Sequence, residues 1–299
     1  MQVALTGGTG FIGSHVMAEL LDHGHAVTAL VRGDDQAQQV AARGATPGVV
    51  DLYHTPAVAS IFRDADAAIH TASPNDETSA ALQSAVVDAA LDAYGGTGKP
   101  FLQISGAWVY GNNTAITEAS PFNAPALVAW YEPIARRILE RDDLRGVVLA
   151  SGTAYGDGGG AVMGVLLGSP RDAEGRLVML GSGRQHWNTV HAADLADLFR
   201  RALEDPTARG YYVVGNGTRP TVAEITEAVA VAVGAPGAVP GSDAEARQRL
   251  GDYFAEVLLL DQAADAARAR AELGWVPTHP TVIDEFRQGS YRRAATVGA

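Results

Sequence analysis

The stretch Thr6-Gly7-Gly8-Thr9-Gly10-Phe11-Ile12-Gly13 constrains the fold of this chain more than any other. It follows a short apolar run, Val3 to Leu5, that reads as a buried strand, and it opens a helical apolar pattern through Ile12, Val16, Met17, Leu20 and Leu21. Gly7 suits the tight strand-to-helix turn, whose backbone angles only glycine takes easily. Gly10 would let the chain approach a pyrophosphate, and the unpaired N–H groups at the helix start, around Phe11, Ile12 and Gly13, would hold its charge. Gly13 would let that helix pack closely on the sheet. A glycine triplet alone is weak evidence, and the bland reading is a tight turn without a ligand; strand, glycines and helix in this order favour a dinucleotide.

The rest of the first half keeps alternating. A glycine stop at Gly24 ends the first helix, and Ala26 to Val31 reads as the second strand. In dinucleotide folds an acid at this strand's end accepts from a free ribose 2′-hydroxyl, whereas a nearby Arg accommodates a 2′-phosphate. Val31 stands in the acid's place and Arg32 follows, which favours NADP, with NAD as the alternative. Asp34 and Asp35 keep a merely solvated Arg32 in contention. Gly48 to Asp51 reads as a third strand, with Asp51 and Leu52 placed for an adenine contact. Ala67 to Ala72 reads as the fourth; Thr71, Ala72 and Ser73 at its end would let the chain pass close to cofactor phosphate and ribose, and His70 reads as a packed core histidine. A helix over Glu77 to Tyr94, a fifth strand over Phe101 to Ser105 and a sixth over Gly146 to Ala150 complete the pattern of a doubly wound parallel α/β sheet of the Rossmann type.

These residues resemble the extended or atypical short-chain dehydrogenases/reductases, the group that includes nucleotide-sugar epimerases and dihydroflavonol-type reductases. The resemblance rests on Thr6 to Gly13, Asp51-Leu52, His70-Thr71-Ala72, Ser105 to Gly111, Val190 to Ala196 and Glu272-Leu273-Gly274-Trp275-Val276-Pro277, and it covers nearly the whole chain. It implies hydride exchange with a nicotinamide, a tyrosine that exchanges a proton with the substrate oxygen, a lysine four residues later that lowers the tyrosine's pKa, and a serine that orients the oxygen. It also implies that Ser151 to Gly156, with Ser151 and Thr153, lies beside the nicotinamide.

The catalytic residues match the family in part. Gly106 stands where the family's serine is expected, which leaves Ser105 one position earlier and on the opposite strand face. Tyr131 is the nearest candidate for the proton donor, yet Ala135 occupies the lysine's place and Arg136 comes one residue later. Pro133 sets the helix start near Tyr131 or Glu132, at the edge of the cofactor cleft. Tyr110 and Tyr155, each beside a glycine, are the rival donors; an aromatic packed against Trp130 is the structural alternative for Tyr131.

The sequence divides into a dinucleotide-binding core at 1–156, a substrate-lobe insertion at 157–189, a return to the core at 190–215 and a mainly helical substrate lobe at 216–299. Gly181 to Asn188 reads as a substrate-facing loop offering Arg184, His186 and Trp187, with an exposed turn as the alternative. Asp194 and His191 suit a structural hydrogen-bond network. Pro220 to Val233 reads as a helix capped by Thr221, Asp261 to Leu273 as another, and the tail from Arg292 to Ala299 as a frayed end.

The chain has 299 residues, no cysteine and a formal net charge of -12. Disulfides, thiolate metal sites and cysteine nucleophiles are thereby excluded, and no metal is expected. So acidic a surface repels nucleic acid and anionic membranes. No apolar run nears bilayer-spanning length, and a strand begins almost at once, so a cytoplasmic enzyme is expected, with a small-molecule substrate. A homodimer through two sheet-flanking helices, Glu77 to Tyr94 and Ala135 to Glu140, is the assembly the resemblance implies. Three functions fit: an NADP-dependent reductase or dehydrogenase of a small carbonyl or alcohol, a nucleotide-sugar epimerase or dehydratase, and a binding protein that senses NADP without turning it over.

Overall fold

The apolar run that precedes the glycines forms β1 (Gln2–Thr6), and the glycines lead directly into α1 (Phe11–Asp22). The alternation continues through β2 (Ala26–Val31), α2 (Asp34–Ala41), β3 (Thr46–Val49), α3 (Thr55–Asp64), β4 (Ala67–His70), α4 (Ser79–Tyr94) and β5 (Pro100–Gly106). A single 3-10 turn at Ala107–Tyr110 and the short β6 (Asn113–Ile116) lead to α5 (Tyr131–Leu139) and β7 (Arg145–Ser151). The computed structural model describes residues 1–292, so the expected frayed end beyond Arg292 lies outside the described residues.

In the second half come β8 (Thr153–Tyr155), α6 (Ala161–Leu167), β9 (Leu177–Val178), β10 (Thr189–His191), α7 (Ala192–Glu204) and β11 (Gly210–Val214). They are followed by α8 (Val222–Ala232), β12 (Ala238–Val239), α9 (Asp243–Leu250), α10 (Asp252–Leu258), β13 (Gln262–Ala264), α11 (Ala267–Leu273) and α12 (Val282–Arg287). Thr221 caps α8 in a reciprocal box with Glu224, as its position before the apolar pattern requires.

Seven strands form one sheet in the order β11-β7-β5-β4-β1-β2-β3, and every neighbouring pair is parallel. Parallel pairing needs a crossover on each connection, so helices cover both faces and all seven carboxyl ends share one edge. Alternation along the strands sorts the side chains. Val3, Leu5, Ile69, Leu102 and Leu149 pack under α1 and α7, while Ala4, Ala68 and Phe101 pack under α3, α4 and α5. A separate apolar core joins α6, α8, α10 and α12 into a lobe above the carboxyl edge.

Three boundaries differ from the sequence reading. β3 ends at Val49, so Asp51 sits in the turn after the strand, where its carboxylate accepts from the Tyr53 N–H at 3.0 Å. β4 ends at His70, which leaves Thr71 and Ala72 outside the ladder. Residues 261–273 are not one helix: Gln262–Ala264 pairs with β6, and the helix starts at Ala267 after a left-handed Ala266. Alanine's helix preference loses there to tertiary bonding, since the Gln262 amide donates to the carbonyls of Ala107 and Gly111 at 2.8 and 2.7 Å. The C-terminal stretch is also not all lobe. Ala266, Ala269, Leu273 and Trp275 pack into the core under the sheet.

Candidate active site

β1 has β4 on one side and β2 on the other, so the chain's winding direction reverses there and a crevice opens at the carboxyl edge. The glycine turn fills that crevice. Gly7 has φ +79°, and a Cβ on it would lie 2.7 Å from the Ala72 nitrogen. A Cβ on Gly13 would lie 2.1 Å from the Gly7 carbonyl oxygen. Both glycines are therefore demanded by the protein's own packing. Gly10 is different: its nearest obstacle is the Gly7 carbonyl at 3.2 Å, and no side chain caps the helix it opens. The first N–H groups of α1, at Phe11, Ile12 and Gly13, thus point out of an uncapped helix start beside a residue without a side chain. An uncapped start of this kind is able to accept an anion.

Arg32 leaves the end of β2 into solvent; its backbone N–H is held by the Gln36 side chain at 2.9 Å, and its guanidinium has no ion-pair or hydrogen-bond partner among the described residues. Asp34 and Asp35 instead occupy the first turn of α2, where helix N-terminal charge favours them. Arg32 is thus left free to meet a phosphate. Leu52 is buried against α3 and α4, next to the turn that carries Asp51.

Thr6, His70 and Gln103 stand side by side on β1, β4 and β5, so their side chains share one face of the sheet. The Thr6 hydroxyl and His70 Nδ1 share a 2.6 Å hydrogen bond, Gln103 donates to Gln83 of α4 at 3.0 Å, and Gln83 donates to the Ala72 carbonyl at 2.9 Å. Thr71 is tied back to the Thr6 carbonyl at 2.8 Å, and Ser73 lies 3.4 Å from the Ser79 hydroxyl. This row fixes the loop after β4 against the glycine turn. Gln83 and Gln103 escaped the sequence reading because they match no motif; only the register brings them into the row.

His70 is fully buried, and desolvation pushes its pKa down to about 4 against an opposing contribution from Gln83. The folded protein therefore keeps it neutral while the unfolded chain takes up a proton below about pH 6.5. Between those values the unfolded state binds more protons, so stability falls as pH falls, by about 3 kcal/mol in total from this residue. Denaturant midpoints measured from pH 7 to pH 4 should show that loss in the wild type and a flatter profile in His70→Asn.

Ser105 lies beside Ala150 in the β5–β7 register, and Ala150 belongs to the apolar cluster that Tyr131 covers, so Ser105 and Tyr131 serve the same face. Among the described residues the buried Ser105 hydroxyl has no partner, nor do His70 Nε2 and Gln103 Oε1 nearby on that face. Gly106, in the family serine's place, has open room: nothing lies nearer than 4.0 Å to a Cβ built on it. Tyr131 is the first residue of α5, half-buried and stacked on Trp130 at 3.8 Å. Burial alone pushes its pKa up to about 12. Ala135 is fully buried, and Arg136 turns outward to Glu132 at 2.7 Å and Glu140 at 3.5 Å, so neither brings a cation to the phenol.

The rival tyrosines are both buried. Tyr110 stacks on Phe122 and is buried with its hydroxyl unpartnered, and Tyr155 sits in the lobe core with its hydroxyl donated to the Pro280 carbonyl at 2.8 Å. Ser151 is buried and donates to the Gly152 carbonyl at 2.7 Å; Thr153 begins β8 at the same edge.

The loop expected to face substrate is corrected in part. Trp187 is buried in the lobe core, its Nε1–H donated to the Leu258 carbonyl at 3.0 Å, so it presents no face to a ligand. His186 is bound to Asp261 at 2.8 Å, and Arg184 is exposed. His191 caps α7 and stacks on His279, which pairs with Asp194 at 2.8 Å. A link invisible in the sequence joins α1 to the lobe: a Cβ on Gly159 would lie 2.5 Å from the Phe11 ring, and His15 pairs with Asp157 at 2.8 Å. Among the described residues no group of three or more His, Asp or Glu side chains is placed to hold a metal, and no helix is long and apolar enough to cross a membrane.

A family model described as the NAD dependent epimerase/dehydratase family matches residues 3–215. A curated relative, the 3-diazoavenalumate denitrifying reductase of a Streptomyces species, is 29% identical over 314 residues, covering 95% of this chain and 98% of its own. The crystal structure of human epimerase family protein SDR39U1 with NADPH is similar with a TM-score of 0.75 at 24% identity, over 97% of this chain and 99% of that one. UDP-glucose 4-epimerase from Thermotoga maritima, solved with UDP-glucose, gives a TM-score of 0.76 at 18% identity over 99% and 100% of the two chains. These likenesses establish a short-chain dehydrogenase/reductase fold.

Proposed function

The chain belongs to the NAD dependent epimerase/dehydratase family, and on that premise we propose that it is an NADP-dependent reductase of a small-molecule carbonyl. NADP would sit with its pyrophosphate on the α1 N-terminus, between Gly7, Gly10 and Gly13, its 2′-phosphate at Arg32, its adenine by Asp51 and Leu52, and its path past Thr71, Ala72 and Ser73 to Ser151 and Thr153. When bound, it supplies the hydride. The human relative was crystallised with NADPH, and the Streptomyces relative is named a reductase; both support this reading.

The observation that carries this reading is the setting of Tyr131, which has no cation beside it among the described residues. A phenol with its pKa pushed up to about 12 is protonated at neutral pH. It can give a proton to the oxygen of a carbonyl that is gaining a hydride, and it is a poor base for taking one from an alcohol. Nucleotide-sugar epimerisation begins by taking a proton from an alcohol, a step for which no neighbouring cation among the described residues assists the phenol, and this supports the reductase reading over the epimerase one. Ser105, with its unpartnered buried hydroxyl, orients the carbonyl oxygen.

The test is NADPH consumption with a panel of carbonyl compounds, beside calorimetric titration with NADPH and NADH. NADPH should bind at least about tenfold more tightly than NADH, equivalent to about 1.4 kcal/mol. Arg32→Gln should erase that preference while leaving NADH affinity unchanged. Equal affinities in the wild type would remove the phosphate role of Arg32, and NADPH binding without turnover of any carbonyl would leave the sensing reading.

A further inference from the structure

A cleft of about 440 Å³ opens at the carboxyl edge between the loop after β4, the segment entering α5 and the lobe helix α10. Asp76 and Glu77 come from the first, Leu127 and Trp130 from the second and Tyr253 from the third. Trp130 joins this cleft to the proposed proton donor, because its ring stacks on that of Tyr131. A substrate whose carbonyl lies at Tyr131 has this space for the rest of its body.

The walls are selective. The Trp130 Nε1–H is already donated to the Leu127 carbonyl at 2.9 Å, so the indole offers a ring and no hydrogen bond. Tyr253 is 64% exposed and Leu127 37%, large apolar side chains held in water where a ligand would cover them. Both carboxylates are exposed, and neither forms an ion pair among the described residues. Asp76 accepts from the Thr78 N–H at 2.8 Å and hydroxyl at 2.6 Å, bonds that hold its pKa below the usual carboxylate range and keep it charged. Among the described residues, no Lys, Arg or His lines the cleft. A diphosphate placed here would face two carboxylates without a counter-charge, whereas a cation gains both from them and from the aromatic faces.

We infer that this cleft is the subsite for the substrate's body, and that it takes a planar aromatic group, neutral or positively charged at its far end, while excluding nucleoside-diphosphate sugars. The inference rests on the reductase reading for the position of the carbonyl, and binding and turnover are therefore measured separately.

The probes are benzaldehydes carrying para trimethylammonium, its neutral isostere tert-butyl, or carboxylate, with UDP-glucose as a competitor. Calorimetry on the NADP-loaded protein uses the corresponding benzyl alcohols, and NADPH consumption uses the aldehydes. The trimethylammonium and tert-butyl probes should bind at least about tenfold more tightly than the carboxylate, and UDP-glucose should not compete. Asp76→Asn with Glu77→Gln should lower the ratio of cationic to neutral probe by about fivefold, leaving the tert-butyl probe unchanged. Trp130→Leu should weaken both.

Selective binding without turnover would keep the subsite and remove the reductase reading. Turnover that ignores charge would do the reverse. Preference for the carboxylate, displacement by UDP-glucose, or no binding of any aromatic probe would each overturn the subsite.

Discussion

Gly13→Ala is expected to cost both the fold's local stability and the dinucleotide. The added Cβ would sit 2.1 Å from the Gly7 carbonyl oxygen, 2.6 Å from its carbon and 2.6 Å from Thr71 Oγ1. Two of those atoms are backbone of the turn itself, so relief requires α1 to move away from β1 rather than a side chain to rotate. Overpacking of this kind costs about 3 kcal/mol. It also shifts the N–H groups of the helix start by roughly 1 Å, enough to weaken NADPH binding by about a hundredfold. Gly10→Ala is the matching control. Its Cβ meets only the Gly7 carbonyl at 3.2 Å, so thermal stability should hold while NADPH affinity falls. Gly10→Ala with unchanged affinity would show that the turn is structural and would falsify its anion-binding role.

Tyr131→Phe should lower turnover by about a thousandfold, the size expected when one positioned acid is lost. Among the described residues the tyrosine hydroxyl has no hydrogen-bond partner, so its removal should leave thermal stability and NADPH affinity nearly unchanged. The wild-type rate in the reducing direction should also stay level through neutral pH, because the phenol's pKa is pushed up to about 12 and it remains protonated throughout. A variant with full activity would take the donor role from Tyr131.

The sheet was legible because its signals are local and repeated. Val3 to Leu5, Ala26 to Val31 and Phe101 to Ser105 are apolar runs with glycine or charged punctuation, and each became a parallel strand. That the residues proposed for the cofactor share one edge was legible for a related reason: residues at strand carboxyl ends are gathered by topology whatever lies between them. Trp187 was misplaced because an aromatic in a glycine-rich stretch looks exposed until the lobe core that receives it is known. The same limit hid β13, since alanines at 263 and 264 favour a helix in isolation and only the Gln262 amide, reaching across to Ala107 and Gly111, fixes an extended conformation. Asp76, Trp130 and Tyr253 lie far apart in sequence and follow no pattern; their meeting is a property of the lobe's position alone.

Trp275 carries a consequence for how the chain is made. Its ring is fully buried in the nucleotide-binding core, and its Nε1–H is donated to the Asp194 carbonyl at 2.8 Å. The core is thus completed by residues made long after the strands they cover. The first strands can pair early, but the face under α7 stays unsealed until 266–275 have been made, so that face closes only after the lobe segments that precede them. The lobe, though read as an addition to the fold, is threaded between pieces of the core and must be synthesised before the core is whole.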